Sequence, residues 1–241
     1  MPLPYQGGKQ REAFEIARRI LDLEGDRRLP YFEPFAGMLS VGLCLLQQSP
    51  RPARALDLNP DVTAFWQAVK DGWLPPVDVT KEDYCRLRDD KVPSAERLFA
   101  GVAASYYGKL FGGYKWKDGQ EVARRNCLAN YRRKIAAVAA LVPEVDNGCY
   151  QDEDPIGMLI YADPPYAGNN FHGRTREFFQ FDSDLFWATM QRWSDSNIVI
   201  VSEQMAPDGW VVMWERPVVK FGGRLFIEKL FVHIDSCIFD L

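Results

Sequence analysis

The 241-residue sequence predicts an α/β fold: a largely parallel sheet with helices on both faces, interrupted by a mainly helical insertion. Three observations predict it. Short apolar runs alternate with stretches of helical periodicity towards both ends of the chain. Between them, over residues 73–150, helical spacing dominates a stretch too long for a simple connection. Two of the short runs also stop at aspartates, Asp57 and Asp163, where α/β sheets present ligand-binding groups.

The elements follow in order. QREAFEIARRILDLEG sets Phe14, Ala17 and Leu21 at helical spacing and stops at Gly25, a C-cap glycine. RLPYFEPFAG is a short strand breaking into a turn at Gly37, and LSVGLCLLQQ a helix with Leu39, Leu43 and Leu46 on one face. RALDLN is a second strand ending at Asp57, followed by a helix, DVTAFWQAVKDG, that stops at Gly72. Past the insertion come a strand in MLIYADPPY, a helix in SDLFWATMQRW and a strand in NIVIVSEQ. The tail, WVVMWERPVVKFGGRLFIEKLFVHI, offers three strand-like runs separated by Pro217 and Gly222-Gly223, closing the sheet with antiparallel strands. Residues 1–72 and 151–241 are thus expected to form one domain split by a subdomain at 73–150.

Composition narrows the class. A hydrophobic fraction of 47%, a charged fraction of 26% and a net charge of −4 describe an ordinary globular chain. They exclude a protein that is basic throughout and leave nucleic-acid binding to a local patch. The 5 cysteines contain no C-x-x-C pair, so neither a zinc knuckle nor a disulfide framework is indicated; reduced, mostly buried thiols are expected. The N-terminus lacks a signal-peptide core and no apolar run is long enough to cross a bilayer, so a cytoplasmic location away from membranes is expected.

The turn at Gly37, between a strand and a helix, lets a ligand approach the backbone at the helix's positive end. Asp57 ends the next strand, in position to accept hydrogen bonds from ribose hydroxyls. YQGGKQ lacks the spacing of a phosphate-binding loop, and Gln10 stands where its hydroxyl would be. DPPY ends an apolar strand with a carboxylate, two rigid residues and an aromatic ring. Asp163 can accept from an exocyclic ring amine, the Pro164 carbonyl is a second acceptor, Pro165 helps to hold the geometry, and Tyr166 can stack on the ring. Within residues 105–134 basic and aromatic residues interleave; Lys109, Tyr114, Lys115, Lys117, Arg124, Arg125, Arg132 and Arg133 suit contact with phosphates and bases.

These pieces, in this order, resemble the Dam-type DNA adenine-N6 methyltransferases, especially the phage members. YQGGKQ is similar to the family's N-terminal cofactor motif, PFAGMLSVGL to its glycine turn, ALDLN to its ribose-binding acid and YADPPY to its catalytic tetrapeptide. The resemblance implies a Rossmann-like class I methyltransferase sheet, with residues 73–150 as the target-recognition subdomain. It implies S-adenosylmethionine as cofactor, leaving S-adenosylhomocysteine, with no metal. Tyr5, Gly8, Lys9, Phe35, Ala36, Gly37 and Asp57 would line its pocket, with Asp163 at the border and Asp152 near the cofactor adenine. Asp163, Pro164, Pro165 and Tyr166 would hold the target adenine. Double-stranded DNA is the implied partner, and a monomer or weak dimer, of the kind found in phage and restriction-modification systems, the implied form. Cytosine N4, an RNA base, or a catalytically silent DNA-binding role are the alternatives. Leu39 stands where some relatives carry a second glycine, and YYGKLFGGYKW replaces their asparagine-rich recognition stretch, so no target sequence carries over.

Overall fold

The computed structural model describes residues 3–5, 7–165, 181–219 and 225–234. Its strands are β1 (Tyr31–Glu33), β2 (Ala53–Asp57), β3 (Glu144–Asn147), β4 (Leu159–Ala162), β5 (Ile198–Glu203), β6 (Trp210–Val219) and β7 (Leu225–His233). They hydrogen-bond in the order β3-β2-β1-β4-β5-β7-β6. The pairs β2–β3, β1–β4 and β4–β5 are parallel, whereas β7 runs antiparallel to both β5 and β6. This mixed sheet, flanked by helices, is the Rossmann-like α/β arrangement expected from the sequence.

The central strands β4 and β5 are buried at every residue, as continuous apolar runs in a parallel sheet should be. Among its described residues the tail forms two strands rather than three. Pro217 does not end β6, because β6 lies at the edge of the sheet, where a missing N–H costs no ladder bond.

By contact the chain divides into two compact units, Met1–Ala17 with Ala36–Pro50 and Arg54–Gly148, and Arg18–Phe35 with Arg51–Ala53 and Cys149–Leu241. The first holds α2 (Ser40–Gln48), α3 (Pro60–Lys70), α4 (Lys81–Asp90), α5 (Ala95–Ala103) and α6 (Glu121–Val138). Their starts are set locally. Asn59 accepts from the Asp61 amide at 3.0 Å ahead of Pro60, Thr80 and Asp83 form a capping box, and Ser94 accepts from the Arg97 amide at 3.1 Å. Phe65 and Trp66 of α3, Leu98, Phe99 and Val102 of α5, and Leu128 and Ile135 of α6 share one apolar core with Ala55 of β2 and Val145 of β3. The segment 73–150 therefore ends in a strand of the main sheet, and its helices bury their apolar faces on that sheet's own elements.

In the second unit Phe186, Met190 and Trp193 of α7 (Ser183–Ser194) are buried, as are the strand residues Phe32, Leu159–Ala162 and Ile198–Val201. Phe32 and Trp193 meet with ring centroids 5.9 Å apart. Asp182 caps α7 by accepting from the Leu185 amide at 3.0 Å.

α1 (Ala13–Glu24) buries Ala13, Ile16, Ala17 and Ile20, which leaves Phe14 63% exposed rather than on the core face. Cys44, Cys85, Cys127 and Cys149 are half-buried rather than buried; Cys237 lies outside the described residues. No described helix is long and apolar enough to cross a membrane.

Candidate active site

The expected cofactor residues of the first unit converge on Asp57. Its Oδ2 accepts from the Gly37 amide and its Oδ1 from the Asn59 amide, both at 2.8 Å. Trp66 donates its indole N–H to the Gly37 carbonyl, also at 2.8 Å, so both backbone groups of Gly37 are fixed by side chains. Ala36 is buried, and its amide donates to the Leu56 carbonyl of β2 at 2.8 Å, tying the turn to the strand end. Gly37 has φ +43°, and a Cβ there would lie 3.6 Å from the Tyr5 ring. Leu39, in the place of the missing second glycine, is itself left-handed at φ 47°. The turn keeps its left-handed step and imposes it on a buried leucine, at a cost of roughly 1–2 kcal/mol.

Burial pushes the Asp57 carboxyl up to about 6, although the two amide hydrogen bonds pull the other way. The Tyr5 hydroxyl is pushed upward too, first by burial and then by the negative field of Asp57. Gly8 closes the N-terminal turn with its amide on the Tyr5 carbonyl at 2.9 Å, and Lys9 is buried at 4% exposure. Of the sequence-derived set, Tyr5, Gly8, Lys9, Ala36, Gly37 and Asp57 thus belong to one unit. Asn59 and Trp66 were not foreseen. Asn-Pro before a helix was a legible cap signal for Asn59, whereas nothing local marks Trp66.

The second unit holds the rest. Phe35 packs its ring on Tyr150 (5.2 Å between centroids), Phe186 (5.8 Å) and Phe181 (6.5 Å). Asp152 is exposed, in the single turn of 3-10 helix Tyr150–Asp152. Asp163 follows β4 directly and is half-buried, Pro164 is buried and Pro165 half-buried; Tyr166 lies outside the described residues. Two residues before Asp163, and so on the same face of the strand, Tyr161 is 1% exposed. Burial raises its phenol well above the usual range, and the charges of Asp163 and Glu33 add to this. Ser202 lies near enough to temper the shift, but the Tyr161 hydroxyl makes no geometrically sound hydrogen bond among the described residues. The polar backing of Asp163 by Glu33, Tyr161 and Ser202 was not foreseen, although a glutamate inside YFEPF was its visible trace.

The basic segment separates into two groups. Arg124 is buried and donates through Nε (2.5 Å) and Nη2 (3.1 Å) to Asp78, holding that carboxyl down at about 2. Arg132 donates to the Leu74 and Pro75 carbonyls, and the Tyr114 hydroxyl to the Val79 carbonyl at 2.9 Å. Lys115 sits over the rings of Trp116 (4.4 Å) and Tyr131 (5.6 Å), and burial lowers its pKa. These four expected nucleic-acid contacts are engaged inside the fold. Lys109 is half-buried, while Lys117, Arg125 and Arg133 are exposed, Arg125 also reaching Asp78 at 2.9 Å and Arg133 the Asn130 side chain at 2.9 Å. Beside Lys109, Tyr106 and Tyr107 are 45% and 69% exposed, with Tyr107 left-handed at φ 56°. Gly108 pins this turn, since a Cβ there would come within 2.5 Å of the Pro4 carbonyl.

No protein-family model matches the chain, and no curated protein matches it. Among solved structures it is similar to TrmN from Thermus thermophilus, at 13% identity over 95% of this chain and 52% of that one, with a TM-score of 0.41. It is also similar to a candidate methylase, HI0767 from Haemophilus influenzae (12% identity, 96% and 91% covered, TM-score 0.39). A third is a candidate methyltransferase, yhhF from Escherichia coli (13%, 97% and 90%, 0.40). The chain spans about half the length of TrmN. Overlaps this loose leave the chemistry to be argued from the chain's own residues.

Proposed function

We propose that the protein transfers the methyl group of S-adenosylmethionine to N6 of an adenine turned out of double-stranded DNA. The observation that carries this reading is β4: a fully buried parallel strand that runs straight into Asp163, Pro164 and Pro165. The first unit fits the cofactor. Asp57 is an acceptor for ribose hydroxyls, its geometry set by two amides, and the Tyr5 ring lies against the glycine turn. When bound, S-adenosylmethionine supplies an electrophilic methyl group on a positively charged sulfur.

The residues of the second unit supply the acceptor chemistry. Adenine N6 is a weak nucleophile because its lone pair is delocalised into the ring. The Asp163 carboxylate and the Pro164 carbonyl accept its two hydrogens, which favours a more tetrahedral nitrogen whose lone pair can be aimed. Positioning of this kind supplies much of the rate. Extrusion of the base costs a few kcal/mol, and the stacking that the resemblance assigns to Tyr166 offsets roughly 1–3 kcal/mol of it.

Duplex binding is supported by the exposed part of residues 105–134. Lys117, Arg125 and Arg133 can neutralise phosphates, and the Tyr106–Tyr107 pair, on a turn held by Gly108, offers rings for bases. The test is incubation with labelled S-adenosylmethionine and unmethylated DNA, with RNA in parallel, followed by nucleoside analysis. N6-methyladenine in DNA is expected. Label in 4-methylcytosine or in RNA alone would overturn the substrate, and cofactor and DNA binding without transfer would make the protein a silent binder.

A further inference from the structure

We infer that Tyr161 is the positioning residue for Asp163: its buried hydroxyl donates to the carboxylate oxygen that the substrate amine does not use, and so fixes the group that aims N6. This rests on the proposed function and deepens it. All the residues concerned belong to the second unit. Strand register puts them on one surface. Tyr31 of β1 stands opposite Leu159 of β4, Tyr161 opposite Ile200 of β5, and Ser202 opposite Leu230 of β7. Because side chains alternate along a strand, Tyr31, Glu33, Tyr161, Asp163, Ser202 and Glu228 share one face of the sheet.

The two phenols on this face differ. Tyr31 donates to Glu33 Oε2 at 2.9 Å. The Tyr161 hydroxyl is as deeply buried, yet has no sound hydrogen bond among the described residues. An unpaired buried hydroxyl is costly, and a phenylalanine would fill the same space without it, so the oxygen calls for a use. Asp163 is the acceptor best placed to provide one. Two residues along a strand span about 7 Å, a length that a tyrosine side chain covers. The negative field of Asp163 also acts on the hydroxyl more strongly than those of Glu33 and Glu228. Burial among these carboxylates keeps Tyr161 protonated, so it always has a proton to donate. Pro164 and Pro165 hold the backbone after Asp163 but leave the rotation of its carboxylate undetermined. A donor two residues back on the rigid β4 removes that freedom, with one oxygen on the tyrosine and the other on the amine.

The test is Tyr161→Phe, which removes one oxygen. For methyl transfer to DNA, kcat should fall about 10- to 100-fold, the loss of one hydrogen bond to a charged group. S-adenosylhomocysteine affinity and the KM for DNA should stay within about twofold. The decisive readout is the acid limb of the pH profile of kcat/KM. A donor to the ionised carboxylate favours that form, so its removal should move the limb upward by about 1–2 pH units. The other charged groups of this face, Glu33 and Glu228, with Arg51 acting on Tyr31, are the same in both proteins and cannot cause that difference. The empty variant should melt no lower than wild type, since an unpaired hydroxyl is removed. Tyr31→Phe, which takes a hydroxyl from Glu33 instead, should leave the limb in place. An unmoved limb in Tyr161→Phe, or the same shift in Tyr31→Phe, overturns the assignment while the proposed function stands. Absence of methyl transfer by the wild type overturns the proposed function, and this inference with it.

Discussion

Lowering the pH from about 8 to about 5 should loosen the protein's hold on the cofactor's nucleoside through a single group, Asp57. Burial pushes this carboxyl from 3.8 up to about 6. Only the ionised form can accept from the Gly37 and Asn59 amides and from both ribose hydroxyls at once. With the free protein titrating near 6, affinity should halve by about pH 6 and fall roughly 10-fold by about pH 5. The same shift acts in the opposite sense on the empty protein. A folded pKa raised above the unfolded 3.8 means that stability from this group is present in acid and lost as pH rises through about 6. At 1.36 kcal/mol per unit the effect is about 3 kcal/mol at most, and less in practice because Asp57 keeps some solvent exposure. Acid should therefore tighten the empty fold while weakening the complex. The probe is 5′-methylthioadenosine, which lacks the α-amino and carboxyl groups of the cofactor's amino-acid end, titrated calorimetrically across this range into wild type and Asp57→Asn. The variant should bind weakly and without a slope. A flat wild-type profile, a midpoint near 4, or the same slope in Asp57→Asn would refute the reasoning.

Asp163→Ala should reduce methyl transfer by at least about 100-fold while leaving S-adenosylhomocysteine affinity within about twofold; near-normal turnover of labelled DNA would sink the acceptor role. Leu39→Gly relieves a left-handed leucine worth about 1–2 kcal/mol but empties a buried site worth about 3–5 kcal/mol, so urea denaturation should show a net loss of about 1–4 kcal/mol. Arg124→Ala should lower stability by about 1–3 kcal/mol, because it removes the buried two-point partner of Asp78 and leaves that carboxylate to the exposed Arg125, measurable in the same denaturation assay. Lys117→Glu should leave stability unchanged and reduce the salt slope of DNA binding by about 1–2; the reverse pattern would return Arg124 to the interface. Tyr107→Ala should cost roughly 10-fold in DNA affinity, as loss of one stacked base would, and unaltered affinity would remove that ring from the interface.

The fold was legible wherever burial left a periodic trace. β4 and β5 are buried throughout, and their apolar runs stand out, while Gly25 and Gly72, at φ 65° and 92°, stop helices as glycines outside the helical region do. β3 left no such trace: of Glu144, Val145, Asp146 and Asn147 only Val145 is buried, because the strand lies at the sheet edge. The tail misled for the complementary reason. Proline is a reliable strand breaker only where both edges of a strand are paired, and Pro217 sits where one is not.

The candidate site shows the same division between local and distant causes. Gly37, Asp57 and Asp163 could be read because a turn or a strand end needs those residue types at those places. Leu39 could not: its sequence position suggested a changed turn, whereas Trp66 and Asp57 hold the turn in its left-handed course whatever residue follows. The basic segment is the sharpest case. Arg124 and Arg133 look alike in sequence, but Asp78 lies 46 residues from Arg124 and no local pattern announces their pairing. Charge along the chain therefore counts scaffold and surface together. Once Asp78 and the Leu74 and Pro75 carbonyls have taken Arg124 and Arg132, the part of 105–134 available for the proposed contact with DNA is narrower than its composition suggests: Tyr106, Tyr107, Lys109, Lys117, Arg125 and Arg133. Under the proposed reading, specificity falls to that smaller set, and a ring on a turn where Gly108 leaves no room for a side chain is better placed to discriminate bases than a solvent-exposed lysine.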